Sequence, residues 1–230
     1  MTPLSWLIAA GIAFLVGSFP TGFLIARAKG IDIRKVGSGN IGATNVGRVL
    51  GRRAWLLCFT GDFLKGFVPV LGAGVFAGLA GRWAIPPTQG LWWCLVMAAA
   101  MAGHMFCPWL GFKGGKGVAT GLGSILGLFP LLTTAGLCGL GVFLLVLWRW
   151  RYVSLAAISA AVSLPAVVLL QAALIDRWGL APGSVADSLP LAGVMAMIAG
   201  VVLWKHRTNV QRILQGTEPK VGTKKPAAAA

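Results

Sequence analysis

The sequence contains few acidic residues and few charged residues of either sign. Five of its 230 residues are Asp or Glu, 20 are Lys or Arg, and charged residues make up 11% of the chain. Because a soluble domain carries about a quarter charged residues, this composition excludes a soluble protein. Hydrophobic residues make up 57% of the chain, and the mean hydropathy is +0.82. The chain is therefore predicted to be an integral membrane protein.

Cysteine is also scarce, and its spacing matches no disulfide or zinc framework. The cysteines lie in or at the ends of apolar segments, where small core residues are common: Cys58, Cys94, Cys107 and Cys138. We expect neither a metal site nor a cofactor. The first apolar run lacks both a basic region before it and an A-x-A-like exit, so we interpret it as a retained helix and not a cleaved signal.

Apolar segments predict an all-α fold with about seven transmembrane helices. The segments are roughly residues 3–26, 54–80, 89–110, 118–129, 131–148, 153–174 and 188–204. The fourth would reach about 20 Å, which is less than the hydrocarbon core of a bilayer. A short re-entrant segment at that position is the alternative.

The distribution of basic residues predicts the orientation in the membrane. Seven crossings place 17 of the 20 Lys and Arg on one side, Arg82 and Arg177 on the other, and Lys65 inside a helix. The positive-inside rule then puts the N-terminus outside and the C-terminus in the cytoplasm, and a re-entrant fourth segment gives the same result. We expect one transmembrane domain at residues 1–216, with its active site at the cytoplasmic face, and a basic, Ala-rich tail at 217–230.

A glycine-lysine loop at residues 111–117 separates two apolar segments. Glycines let backbone N–H groups converge on a phosphate, and the two lysines and the N-terminus of the next helix add positive charge. The loop is not a Walker A motif, because Lys116 is followed by Gly117 and no strand precedes it. The alternative is a tight loop whose lysines only follow the positive-inside rule.

Two further polar clusters are predicted on the same side. Residues 37–45 combine hydroxyls, amides and glycines ahead of Arg48, which suits oxyanion binding, although a capping loop would use the same residues. Residues 205–209 are followed by Arg212 and Glu218. A basic cluster after a last helix can also serve only as a topology anchor.

The three clusters together carry a family resemblance. The order GSGNIGATN, FKGGKGVAT and KHRTNVQRILQGTE resembles the signature motifs of the bacterial acyl-phosphate-dependent glycerol-3-phosphate acyltransferases. The similarity extends to about Val221 and includes GDFLKG at residues 61–66.

The resemblance implies a multi-pass enzyme of the bacterial cytoplasmic (inner) membrane. Such an enzyme moves a fatty acyl group from acyl phosphate to the sn-1 hydroxyl of glycerol 3-phosphate. The products are lysophosphatidic acid and phosphate, in the first step of phospholipid biosynthesis. The expected partners are these two substrates and membrane lipids, without nucleic acid, and the protein is expected to be a monomer.

The residues favour direct acyl transfer. Acyl phosphate is already activated, no Asp follows either histidine in a His-x-x-x-x-Asp pair, and no G-x-S-x-G nucleophile elbow occurs. We therefore expect the glycerol hydroxyl to attack the acyl carbonyl without an acyl-enzyme. The resemblance further implies that a substrate phosphate oxygen acts as the base while the protein positions the substrates and stabilises charge.

Site residues are assigned as hypotheses in three groups. Expected to act in catalysis are His206, Asn209, Ser38 and Lys116. Expected to bind substrate or phosphate are Asn40, Thr44, Asn45, Arg48, Gly114, Gly115, Gly117, Arg207 and His104. Expected to support them are Glu218, Asp62 and Lys65. Alternatively, His104 is a satisfied core residue and Asp62–Lys65 a structural ion pair. Gly115→Ala is expected to weaken substrate binding and leave the protein folded.

Two other functional classes fit part of the pattern. A transporter for small phosphate esters would also need phosphate cradles, but the polar clusters crowd one face and no internal repeat is visible. A scaffold for anionic lipids would explain the charge but not the Gly, Asn and Thr pattern.

Overall fold

The computed structural model describes residues 1–83, 85–179 and 185–222, which fold into ten α-helices and two one-turn 3₁₀ helices. The α-helices are α1 Pro3–Gly17, α2 Thr21–Arg27, α3 Ala43–Leu50, α4 Arg52–Phe76, α5 Pro87–Met105, α6 Val118–Gly127, α7 Thr133–Trp150, α8 Val153–Trp178, α9 Val185–Lys205 and α10 Arg207–Leu214. The 3₁₀ helices are Ile33–Lys35 and Pro108–Leu110. The all-α prediction is confirmed for the described part of the chain.

Within the described ranges, six stretches are long and apolar enough to cross a membrane, so the prediction of an integral membrane protein is confirmed. They are Pro3–Arg27, Arg52–Phe76, Pro87–Leu110, Thr133–Trp150, Val153–Trp178 and Val185–Lys205. Helix α6 has only ten residues, which gives it a length of about 15 Å. A count of seven crossings and the orientation of the termini therefore stay predictions.

The end of the chain differs from the sequence-based expectation. After a break at His206 the backbone turns into α10, a helix that was not predicted from the sequence. Beyond α10, Glu218 and Val221 contact the start of α8 and the turn before it. The domain boundary at residue 216 stays a prediction, and residues 223–230, with Lys224 and Lys225, lie outside the described residues.

Glycine allows the membrane helices to approach closely. Helix α1 packs on α5, where a Cβ atom on Gly17 would lie 2.1 Å from the Ala100 carbonyl oxygen. A Cβ on Gly103 would likewise lie 2.1 Å from the Phe14 carbonyl oxygen. Small residues at such crossings bring helix backbones into contact, which is how membrane helices gain packing energy without a hydrophobic driving force between them. The resulting bundle holds the end of α5, and with it the glycine-lysine loop, at a fixed position.

Gly103→Ala should therefore destabilise the bundle. The added methyl group forces α1 and α5 apart, and overpacking of this kind costs about 1–3 kcal/mol. The measurement is the thermal unfolding midpoint in detergent micelles. Gly11→Ala in α1 is the matched control, because no atom lies within 4 Å of its Cβ position. Equal midpoints for the two variants would contradict the close-packing interpretation.

Candidate active site

The three polar clusters meet at one end of the helix bundle. The Lys116 Nζ of the glycine-lysine loop donates a hydrogen bond to the Asn209 Oδ1 of α10. Cys107 and Leu110, just before that loop, belong to the same buried apolar cluster as Val46 of α3. The structure thus shows the three clusters converging at one end of the bundle, as predicted.

The Glu218 carboxylate joins several of these elements. Its Oε1 accepts hydrogen bonds from Ser154 Oγ at 2.7 Å and from Asn209 Nδ2 at 2.6 Å, and its Oε2 accepts one from Arg212 Nε at 2.7 Å. Burial by itself would raise the pKa of Glu218, but the hydrogen bonds from these three donors hold it below the usual value. The group is therefore a buried, fully bonded carboxylate.

Asn209 links Glu218 to Lys116 through two hydrogen bonds. Because the Asn209 amide nitrogen donates to Glu218, its oxygen must face Lys116, which fixes the orientation of the amide. Burial lowers the pKa of Lys116 to about 8, and the Glu218 charge partly offsets this by raising it. Arg212 and Arg48 lower it further. At neutral pH Lys116 is mostly protonated and can neutralise an anion.

His206 lies beside this network at the break between α9 and α10. Its Nδ1 is 2.8 Å from the Val202 carbonyl oxygen, which can only accept, so Nδ1 carries the proton and Nε2 keeps a free lone pair. Burial lowers the pKa of His206 to about 4, and nearby Lys116 contributes in the same direction. The ring is thus neutral at physiological pH and can accept a hydrogen bond through Nε2.

The glycine-lysine loop is packed tightly against the end of α5. The Gly115 N–H donates to the His104 carbonyl oxygen at 3.0 Å. A Cβ on Gly115 would lie 2.1 Å from His104 Nε2, and one on Gly114 would lie 2.0 Å from the His104 carbonyl oxygen. Gly117 has a φ of +77° and a Cβ position 2.4 Å from Met105. Packing against α5 is therefore a second reason for these glycines, and the expectation that Gly115→Ala weakens substrate binding in a folded protein stays a prediction.

His104 connects the loop to charges inside the bundle. Lys65 Nζ lies 2.7 Å from Asp62 Oδ1 and donates to the Phe19 carbonyl oxygen at 2.8 Å, beside the helix break that Pro20 introduces. His104 Nδ1 is 3.7 Å from the same Asp62 oxygen, too far for a hydrogen bond. The Asp62–Lys65 ion pair, given above as the structural alternative, is present, and the expected supporting role of the two residues stays a prediction.

The loop at residues 33–42 is held by two asparagines. Asn45 Oδ1 accepts from Ser38 N at 2.9 Å, and its Nδ2 donates to the Val36 and Asn40 carbonyl oxygens at 3.0 and 2.9 Å. Asn40 Oδ1 accepts from Gly42 N at 2.8 Å. The Asn40 and Asn45 oxygens, predicted to contact substrate, are thus bonded to the loop backbone.

The remaining predicted residues lie in two different environments. Ser38, Thr44 and Arg48 are exposed, and Arg48 is close enough to Lys116 to influence its pKa. Arg207 instead lies 4.8 Å from the Trp204 ring centroid and donates to the Trp204 carbonyl oxygen at 3.1 Å. Its proposed contact with phosphate stays a prediction, and the Trp204 contacts of its side chain are those of an interfacial anchor.

Several contacts were not predicted. Ser154 binds Glu218, and Lys205 Nζ donates to the Met105 carbonyl oxygen at 2.6 Å. A serine at the start of an apolar helix carries no sequence signal of such a role. Within the described ranges, no group of three or more His, Cys, Asp or Glu side chains is placed to hold a metal ion, and that the protein needs none stays a prediction.

Comparison with known proteins gives consistent matches over nearly the whole chain. The family model described as glycerol-3-phosphate acyltransferase matches residues 7–216. The protein of that name from Geobacter metallireducens is 47% identical over 212 residues, covering 92% of this chain and 95% of the relative. The one from Geotalea daltonii is 45% identical over 206 residues, covering 90% and 92%.

A solved structure is also similar. It is the crystal structure of PlsY (YgiH), an integral membrane glycerol 3-phosphate acyltransferase, in its glycerol 3-phosphate form. The TM-score is 0.78 at 35% identity, and the match covers 95% of this chain and 96% of that one.

A double-mutant cycle separates packing from substrate approach at Gly115. If the methyl group of Gly115→Ala acts by displacing the His104 ring, it should lower kcat/KM about tenfold in the wild type and by less than about twofold in a His104→Ala background. The measurement is steady-state kinetics of the four proteins. An equal loss in both backgrounds would instead mean that the methyl group obstructs the substrate.

Proposed function

Because the chain belongs to the glycerol-3-phosphate acyltransferase family, we propose that it transfers a fatty acyl group from acyl phosphate to the sn-1 hydroxyl of glycerol 3-phosphate. The products are lysophosphatidic acid and inorganic phosphate. One observation carries the proposal: Lys116 lies near enough to the neutral His206 ring to lower its pKa, and Lys116 is hydrogen-bonded to Asn209, which is hydrogen-bonded to Glu218. This arrangement offers a charge for phosphate and an acceptor for a hydroxyl, without a nucleophilic side chain.

Binding of the two anions is assigned to the cationic groups and the exposed loop residues. Lys116 neutralises one phosphate, and Arg48, which is near enough to lower the pKa of Lys116 and is exposed, holds the second. The hydroxyls of Ser38 and Thr44 are exposed next to it and add donors. Two like-charged substrates can share one pocket only if fixed cations separate them, since repulsion between anions would otherwise oppose binding.

The chemical step follows from the state of these groups. The sn-1 hydroxyl donates to His206 Nε2, which orients its oxygen toward the acyl carbonyl carbon. A new ester C–O bond forms, and the C–O bond to the phosphate breaks. The leaving phosphate keeps the electron pair, and the hydroxyl proton, held in the hydrogen bond to His206 Nε2 during the attack, passes to one of the phosphate oxygens. Lys116 stabilises the charge that grows on this group as it departs.

The proposed setting is the inner membrane of a bacterium, with the site facing the cytoplasm and the protein acting as a monomer. The site end of the bundle carries the described basic residues from 27–53, 113–116, 149–151 and 205–220, whereas Arg82 and Arg177 lie at the other end. This asymmetry follows the positive-inside rule. A transporter of phosphate esters is the second candidate, and phosphate release without uptake distinguishes the two.

The proposal is tested with purified protein in detergent micelles. With acyl phosphate and glycerol 3-phosphate, phosphate and lysophosphatidic acid should form in equal amounts, with the acyl group at sn-1. Intact-mass analysis during turnover should find no acylated protein. Faster reaction with an acyl thioester, an sn-2 product or a covalent acyl-enzyme would each overturn part of the proposal. Substrate uptake by liposomes without any acyl product would favour the transporter.

The pH dependence of kcat/KM tests the role of Lys116. The protonated amine is the active form and its pKa is about 8, so activity should fall as the pH rises through that value. Lys116→Arg should remove this alkaline limb, because arginine stays charged. Lys116→Met should lower kcat/KM about 10²- to 10³-fold at every pH. An alkaline limb that persists in Lys116→Arg would assign it to another group.

A further inference from the structure

Residues 217–222 form a strap across the start of α8, beyond the part of the chain that the family model matches. At its near end, the Thr217 and Glu218 N–H groups donate to the Arg212 carbonyl oxygen at 2.8 and 3.1 Å. At its far end it reaches the two-residue turn between α7 and α8. Between these two attachments lies the Glu218 side chain that holds Asn209.

Arg151 fastens the far end of the strap through both its backbone and its side chain. Its carbonyl oxygen accepts from Val221 N at 2.8 Å. Its Nη2 and Nε donate to the Val221 carbonyl oxygen at 2.6 and 3.0 Å. Three hydrogen bonds between the same two residues, with one guanidinium forked on a single oxygen, define the position of the strap far better than one contact would. A lysine has one donor centre and cannot form this fork.

The backbone of Arg151 shows that its position in the turn is specific. It adopts φ of +63°, in the left-handed region, where it caps α7 by donating from its N–H to the Leu147 carbonyl oxygen at 2.8 Å. A non-glycine residue in this conformation is uncommon and costs free energy. The turn therefore directs the guanidinium toward the strap and not along the helix axis. Arg149, two residues earlier, instead lies 5.3 Å from the Trp150 ring centroid.

We propose that Arg151 is a positioning residue for acyl transfer, which holds the strap so that Glu218 orients Asn209 toward Lys116. The proposal rests on the function proposed above. Arg151 does not touch the substrates in this scheme. Its effect passes from Val221 along the strap to the Glu218 carboxylate, then through the Asn209 amide to the Lys116 amine. Without the far attachment, the strap is held only by its backbone contacts with Arg212 and by the hydrogen bonds of the Glu218 side chain itself, and the position of Glu218 becomes less defined.

Loss of the Arg151 attachment should shift the pKa of Lys116 in the opposite direction from loss of a cation that acts on Lys116 directly. Lys116 faces Glu218, which raises its pKa, while Arg212 and Arg48 lower it, and His206 lies nearby. Withdrawal of Glu218 should therefore lower the pKa of Lys116. Removal of a cation acting directly on Lys116 would instead raise it. The pH dependence of kcat/KM therefore distinguishes withdrawal of Glu218 from removal of a cation that acts on Lys116 directly.

The test compares Arg151→Gln with Arg149→Gln in the full-length protein. Both substitutions remove one positive charge, Arg151 from the turn between α7 and α8 and Arg149 from the last helical turn of α7. Arg151→Gln should lower kcat/KM about ten- to a hundredfold, as loss of a supporting hydrogen bond often does. It should also shift the alkaline limb to lower pH by about half a unit or more. Arg149→Gln should leave kcat/KM and the limb within about twofold and 0.2 units of wild type.

A second comparison shows whether the effect passes through Glu218. In a Glu218→Gln background, Arg151→Gln should cost less than about twofold, because the carboxylate it positions is already absent. Should Glu218→Gln fail to fold, Ser154→Ala gives a milder background in which the cost of Arg151→Gln should increase.

The possible results have distinct meanings. Wild-type protein without acyl transfer overturns the proposed function, and the positioning role with it. With active wild type, equal kinetics for Arg151→Gln and Arg149→Gln overturn only the positioning role. A limb that moves to higher pH, or a lower rate with an unchanged profile, overturns it as well, because these results indicate a direct charge effect or a smaller folded fraction.

Discussion

The Glu218 carboxylate is the interaction on which the candidate site depends. It is one of five acidic residues in the chain. It accepts hydrogen bonds from Ser154 of α8 and from Asn209 and Arg212 of α10, and with Arg212 it also forms an ion pair. A buried charge without such partners would cost several kcal/mol. With these partners, the carboxylate fixes the orientation of the Asn209 amide, which in turn positions the Lys116 amine. The basic residues gathered at this end of the bundle would otherwise repel one another.

The bilayer explains why the site can be this rigid. Close helix crossings at glycine leave α5 little freedom, so the glycine-lysine loop is anchored where its later glycines pack on His104 and Met105 at the end of α5. The buried Asp62–Lys65 pair is compensated within the bundle, partly by a carbonyl group that the break between α1 and α2 exposes. Charges inside a membrane are tolerated when they are paired with each other or with backbone carbonyls. Here the paired charges stand directly behind His104 and the loop.

The sequence was sufficient to predict the helical membrane fold and the meeting of the three motifs. Long apolar segments and the positions of Lys and Arg determine both through local composition. The roles of single side chains were less accessible. Asn45 resembles a ligand-binding amide in the sequence, but its hydrogen bonds hold a loop. Gly115 resembles a phosphate cradle, but it also makes room for a histidine ring. The contacts of Lys116 with Asn209 and of Glu218 with Ser154 span 93 and 64 residues, and no local pattern encodes such pairs.

The position of Glu218 in the chain has a consequence for biosynthesis. All six candidate membrane spans precede it, so the ribosome must make every one of them before this carboxylate exists. Until then Asn209 lacks the acceptor that orients its amide, and Lys116 lies partly buried among arginines without a counter-ion. Synthesis of all six candidate spans therefore precedes synthesis of the carboxylate, and a chain that stops between Lys205 and Glu218 contains every one of these spans but lacks the contact that orients Asn209.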